Sequence, residues 1–261
     1  MREVPFVTQS AYGIGVQTQT ASARDVNGYA RDRRLQGAST AARALWLLVG
    51  CLVLSSGCAE SRVSLGRGAR TYVAADYPDV LARWTRQRSL ITVENLDDVL
   101  TVAATYESWD FRWAYVVRYA QDYRLTVEQR RILLEKSLEE TRDSHLFFVA
   151  LYGSYTRWTD LTKPSSGWVV RLIDDQGNET APASIELVTR PSAIERRYFP
   201  YTTPWRQVFR IKFPRTLPDN RTPTVSANAA FVGLRFAGAE GNQELHWDLD
   251  NSRAAEAAPA N

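Results

Sequence analysis

Chemistry in this chain would have to come from two cysteines, two histidines and a few paired carboxylates. Cys51 and Cys58 both lie in the one strongly apolar run, Leu45–Ser61 (LWLLVGCLVLSSGCAES). No cysteine follows Cys58, so the remaining chain can hold neither a disulfide nor a Cys-based metal site. His145 has Glu140 and Asp143 near it in sequence, too thin a set for zinc, which takes three or four such ligands. It reads as a residue marking a helix-to-strand junction, and no metal is expected. His246 falls on the polar side of an alternating strand. No G-x-S-x-G elbow is present to activate a serine. Gly66-x-Gly68 is preceded by no strand and followed by no helix start, so it is not a phosphate loop. Asp97/Asp98, Glu139/Glu140 and Asp174/Asp175 are adjacent acids. Glycoside hydrolysis needs two carboxyls about 5–10 Å apart across a cleft, and adjacency does not supply that. The first pair suits a helix N-terminus and the last leads into a turn. Asp174-x-Gln176-x-Asn178 resembles a calcium loop only superficially, because its Gly and distal Glu are misplaced. No catalytic residue and no cofactor is expected.

The aromatics offer binding instead. Tyr106, Trp109, Phe111, Trp113, Tyr115, Tyr119 and Tyr123 crowd eighteen residues. Such rings can stack on sugars or anchor a partner, yet their helical spacing points to a core seam. A second set, Tyr198, Phe199 and Tyr201 with Trp205, lies in a Pro-containing loop without helical period. Loops carry function more often than cores do. These four residues are the candidate contact surface, and burial under a sheet edge is the competing fate.

The address is written in the apolar run. Ala44 to Ser56 is thirteen residues without a charge, short of the roughly 20 that span a bilayer. Thirteen suits the apolar middle of a secretory signal, with Arg43 as its basic flank. Ser55, Ser56 and Gly57 then lead into Cys58. This resembles the lipobox of bacterial lipoprotein precursors, except that Leu54 stands one place earlier than the usual Leu. The resemblance implies cleavage before Cys58, lipidation of its thiol and a membrane anchor. Leu48–Val49–Gly50–Cys51 is an alternative lipobox, but cleavage there leaves a very short apolar segment. An uncleaved anchor helix is a further alternative. Ala59, rather than Asp, after the cysteine implies delivery to the outer membrane under enteric-type sorting.

Residues before the run are polar and rich in Ser, Thr, Gln and Arg, unlike any signal. Arginine far outnumbers lysine, which occurs only at 136, 163 and 212. That bias suggests a GC-rich genome, in which Val26 or Leu35 could be the true start. Residues 1–57 are therefore read as leader and signal. They hold six of the 32 basic residues and three of the 29 acidic ones, leaving 26 of each beyond them. A body of zero net charge has no electrostatic motive for nucleic acid.

Residues 58–75 read as a lipidated tether. From Asp76 to Asp143 the pattern is helical. Asp76 caps a first helix with Pro78 in its first turn, and Val80, Leu81 and Trp84 share a face. A second helix is predicted over Glu94–Tyr106, and a third is capped by Ser108. Thr126-x-x-Gln129 opens a fourth, with Ile132, Leu133 and Leu138 facing inward. After Ser144 the period becomes two. Leu146–Tyr152 is apolar on both faces, as a central strand is, and further alternating runs follow at 168–172, 185–188, 208–213, 230–236 and 244–249. The fold class is α+β: an N-terminal small helical bundle, 76–143, packed on a C-terminal antiparallel β-sandwich of immunoglobulin-like kind, 144–250. The Cys…Trp…Cys signature of antibody domains is absent. Residues 251–261 read as a disordered tail.

The segments ATYESWDFRWAYVVRYAQDY, HLFFVALY and WVVRLIDDQG together resemble uncharacterised bacterial envelope lipoproteins. That likeness implies no activity and no site residues. The expected function is a lipid-anchored envelope protein, non-catalytic, acting through contacts with other envelope proteins. The alternatives are an envelope glycan-binding module using exposed aromatics, or a hydrolase without a recognisable motif.

Overall fold

The computed structural model describes residues 61–91 and 98–250. Cys51, Cys58, the leader, Asp97 and the tail lie outside the described residues. The protein is α+β with two antiparallel sheets. The first sheet holds β1 (Thr85–Ile91), β2 (Asp98–Tyr106), β3 (Ser144–Tyr152), β6 (Ser184–Leu187) and β7 (Gln207–Pro214), in the order β1-β2-β3-β7-β6. The second holds β4 (Trp168–Asp174), β5 (Glu179–Thr180), β8 (Phe231–Gly238) and β9 (Gly241–Asp248), in the order β5-β4-β8-β9. The helices are α1 (Tyr77–Trp84), α2 (Trp109–Asp122), α3 (Val127–Asp143) and α4 (Ala193–Tyr198).

β2 corrects the sequence reading. A helix was predicted there because Leu96, Val99, Leu100 and Ala103 have helical spacing. The segment is instead continuously buried from Leu100 to Tyr106. In such a run the two periods cannot be told apart, and the β-branched Val99, Thr101, Val102 and Thr105 favour the strand. β1 (TRQRSLI) has no apolar alternation, so no local pattern announces it. Its charges suit a sheet edge. Residues 76–143 are therefore not a purely helical block, since two strands within them pair onward to β3.

β3 runs between β2 and β7, as its two apolar faces predict. Phe147 meets Trp247 of β9 at 5.5 Å, while Phe148 stacks on Phe199 at 4.1 Å on the other side. Phe199 in turn packs on Phe111 of α2 at 5.9 Å. The five-stranded sheet is thus covered on both faces, and one buried cluster joins helices and both sheets. Burying a Phe contributes about 1.5–3 kcal/mol.

The helix ends follow their sequence signals. Ser108 Oγ accepts from Phe111 N at 3.2 Å. Thr126 and Gln129 form both bonds of the capping box, at 3.2 and 2.9 Å. Asp76 departs from expectation: its carboxylate accepts from Val73 N at 2.8 Å rather than capping α1. Ile132 is 53% exposed instead of facing inward, because α3 buries only Ser137, Leu138 and Thr141.

Asp110, in the first turn of α2, ties the N-terminal segment down. It accepts from Tyr72 Oη at 2.7 Å, Arg70 Nε at 2.8 Å and Trp84 Nε1 at 3.0 Å. Burial alone would raise its pKa, but the bonds from Trp84, Arg70 and Tyr72 outweigh that and hold it below the ordinary carboxylate value. The folded-state value thus lies below the unfolded one. Its contribution is full above about pH 3.9, the unfolded value, and is lost as pH falls through the folded value.

Two outcomes are expected. Asp110→Asn should lower the unfolding free energy at pH 7 by about 2–3 kcal/mol. In urea titrations that deficit against wild type should shrink as pH drops below about 4. Phe148→Ala should cost about 3–5 kcal/mol and shift one calorimetric transition of the whole body. Val127, 88% exposed, should tolerate alanine within about 0.5 kcal/mol. Two transitions, only one of them moved by Phe148→Ala, would contradict the shared core.

Candidate functional site

The short helix α4, which leads into the loop before β7, opens with a locked turn. Ser192 Oγ accepts from Glu195 N at 3.2 Å, and Glu195 Oε2 accepts from Ser192 N at 2.6 Å. The aromatics that follow are anchors. Tyr198 Oη donates to Asp122 at 2.7 Å, and the Tyr198 carbonyl accepts from Tyr77 Oη at 2.7 Å. Tyr201 Oη donates to the Phe148 carbonyl at 3.1 Å and bonds Thr105 Oγ1 at 2.7 Å. Tyr198 and Phe199 are each 3% exposed. They cannot be contact residues, which corrects the sequence reading. Their rings fill the space between α2 and the five-stranded sheet. Tyr201 is half-buried.

Trp205 behaves differently, at 82% exposed. Pro204 precedes it at the loop tip, and β7 begins at Gln207. The indole borders an open groove of about 720 Å³ with Leu187, Val188, Arg190, Arg196 and Arg206. No Asp, Glu, His or Cys lines this groove. Among the described residues, none of the three guanidiniums has a carboxylate within ion-pair distance. The near candidate, Glu195, is taken by Arg210 at 2.6 Å. Desolvation opposes its ionisation, but the Ser192 backbone bond and Arg210 hold its carboxyl below the ordinary value. The groove therefore stays cationic. Leu187 closes β6, a strand that pairs only with β7 among the described residues and leaves its other edge open.

Chemically the groove can stack a ring or chain on indole, take carboxylates in guanidinium forks and accept an added strand. It offers no group for acid–base work. Sequence reasoning found Trp205 but not the arginines. A signal existed: Arg190, Arg196, Arg197 and Arg206 interleave with aromatics and prolines over seventeen residues.

The other candidates are structural. Asp174 accepts from the backbone of Gln176, Asn178 and Ser226 at 2.9–3.0 Å, and Gly177 takes the left-handed turn (φ 84°). Asp175 accepts from Ala230 N at 2.7 Å. Asp98 holds Thr101, and Glu140 pairs with Arg112 at 3.2 Å. His246 stacks on Phe231 at 4.0 Å and bonds Glu244 at 2.7 Å. On α2, Trp109 donates to the Gly68 carbonyl at 2.8 Å and Trp113 is half-buried. His145 is buried, 3% exposed, and bonds Tyr106 Oη. Among the described residues no three His, Cys, Asp or Glu come together as metal ligands. Comparison with known proteins leaves the groove as the guide to function: no family model, curated protein or solved structure matches this chain.

Proposed function

We propose that this protein is a lipid-anchored, non-catalytic component of the bacterial envelope that captures an acidic segment of a partner protein in the Trp205 groove. The observation that carries this reading is Trp205, 82% exposed among three guanidiniums without carboxylate partners. An exposed Trp at a cationic, apolar-floored groove is the composition of an interface centre. The partner contributes carboxylates to Arg190, Arg196 and Arg206, and apolar side chains to Leu187 and Val188. The anchor is Cys58, lipidated after signal cleavage, with Ala59 directing the outer membrane. The finer architecture belongs with this reading. The two sheets form a β-sandwich, immunoglobulin-like in kind, supported by the contacts of Trp247 with Phe147 and Tyr106.

The same indole also fits the glycan-binding alternative, since an open ring face can stack a sugar. The two readings separate cleanly. For an acidic protein partner, recovered by photo-crosslinking from position 189 on the groove rim in cells, Trp205→Ala should weaken binding about thirtyfold, the roughly 2 kcal/mol of an interface hot spot. Arg196→Glu should weaken it further at low salt than at high salt. For a glycan strand, Trp205→Ala abolishes binding while Arg196→Glu does not. Neither change should move the melting temperature, because both side chains stand outside the core. Crosslinks that persist unchanged in both variants would sink the groove as a contact site.

Anchoring has its own test. A fatty-acid probe should label the wild type, and Cys58→Ala should lose the label and accumulate as precursor. Loss of label with Cys51→Ala alone would transfer the anchor to Cys51. Recovery with inner-membrane markers only would refute outer-membrane delivery.

A further inference from the structure

A second concavity, about 770 Å³, opens where the segment before α1 meets the C-terminus of α3, the start of β3 and the loop after β7. Arg67, Arg70, Arg142, Arg215, His145 and Asp250 line it. Arg70 is spent on Asp110. The other three arginines have a different history. Arg67 Nη2 donates to the Arg142 carbonyl at 3.1 Å, and Arg215 Nε donates to the Thr141 carbonyl at 2.7 Å. These bonds close the open carbonyls at the end of α3, and a purely structural role would stop there.

The capping leaves most of the donors unused. Each guanidinium carries five N–H groups. No carboxylate lies within 4.0 Å of Arg67, Arg142 or Arg215 among the described residues. Three cations without a carboxylate in ion-pair contact line one cleft. Burial, followed by repulsion from Arg215 and Arg142, holds the Arg67 pKa below its ordinary value despite the opposing pull of Asp143.

The floor supplies a second, independent sign. His145 is a polar side chain 3% exposed that lines the cleft. Its Nδ1 is paired with Tyr106 Oη at 2.6 Å. Burial raises the Tyr106 pKa, so its phenol stays protonated. Among the described residues Nε2 makes no hydrogen bond. Guanidiniums from three separate chain segments, with the His145 imidazole beneath, form a site for an anion approached from several sides.

We propose that this cleft binds a phosphoryl dianion, free or as a phosphomonoester, held by Arg67, Arg142 and Arg215 above the His145 imidazole. A planar carboxylate would satisfy one guanidinium fork, whereas the oxygens of a phosphoryl group can serve donors arriving from three directions. Even with Asp250 on the lining and Asp143 acting on Arg67, the three cations leave the cleft positive. The volume exceeds that of one phosphate, and Leu65, Pro223, Val225 and Leu249 line the remainder. The organic part of a phosphomonoester therefore has an apolar bed. This site shares no lining residue with the Trp205 groove and does not depend on it.

The test is calorimetric titration of the purified protein, at constant ionic strength, with phenyl phosphate, inorganic phosphate and benzoate. Phenyl phosphate is expected to bind saturably at least about tenfold tighter than benzoate, a difference of about 1.4 kcal/mol. Inorganic phosphate binding as tightly as phenyl phosphate would support the site and assign its ligand as the free anion. Arg142→Gln is the clean variant, because the Arg142 side chain makes no hydrogen bond to a described residue and the helix can close without it. It should weaken both phosphates at least about tenfold with an unchanged melting temperature. His145→Phe, which keeps the volume and removes the ring nitrogens, should weaken them severalfold. Benzoate equal to phenyl phosphate would overturn the phosphoryl assignment. Phosphate binding absent, or indifferent to Arg142→Gln, would overturn the site.

Discussion

One buried carboxylate carries much of the arrangement. Asp110 can be ionised inside the protein only because Arg70, Tyr72 and Trp84 all donate to it. An unpaired charge there would cost several kcal/mol. The requirement runs outward along the chain. It brings the segment before α1 against α2, and it fixes the Trp84 indole. The Trp84 carbonyl then accepts from Trp247 Nε1 at 2.9 Å, joining α1 to β9. The Trp84 ring meets Tyr106 edge-on at 5.5 Å, and Tyr106 holds His145. The floor of the arginine cleft is thus positioned through the same chain of contacts.

A second constraint acts on the loop after α4. β2 and β3 are buried on both faces, so the five-stranded sheet needs an apolar cover on the side away from β9. Phe111 from α2 cannot supply it alone. Phe199 stacks on Phe148 and Tyr198 packs on Tyr77 and Tyr115. Drawing these rings inward pins both ends of a short loop. Its tip, Pro204–Trp205, is left outside. The exposure of the indole follows from the burial of its neighbours.

Charge is partitioned in the same spirit. The body beyond the leader is neutral by count, but its acids and bases are not mixed evenly. Buried or half-buried acids are occupied internally: Asp110 by Arg70, Glu107 by Arg112, Glu195 by Arg210, and Asp174 by backbone amides. Six arginines without a carboxylate in ion-pair contact among the described residues line two concavities. Net charge excludes a large uniform field. It does not exclude local anion recognition in a cleft.

The sequence by itself determined the local features. Short-range capping chemistry placed the starts of α2 and α3 at Ser108 and Thr126. The two-faced apolar run of β3 announced a central strand, and the alternation of β7, β8 and β9 announced sheets. Each of these depends on neighbours within a few residues. Tertiary structure decided the rest. β2 became a strand because β1 and β3 flank it, which its own spacing could not register. Ile132 lost its place in the core because α3 shows the sheet only its last turns. Of four aromatics in one loop, packing buried two and exposed Trp205. The three arginines of the cleft, at 67, 142 and 215, are far apart in the chain. No window of sequence contains them together, and only the packing of α3 against the loop after β7 makes them one site.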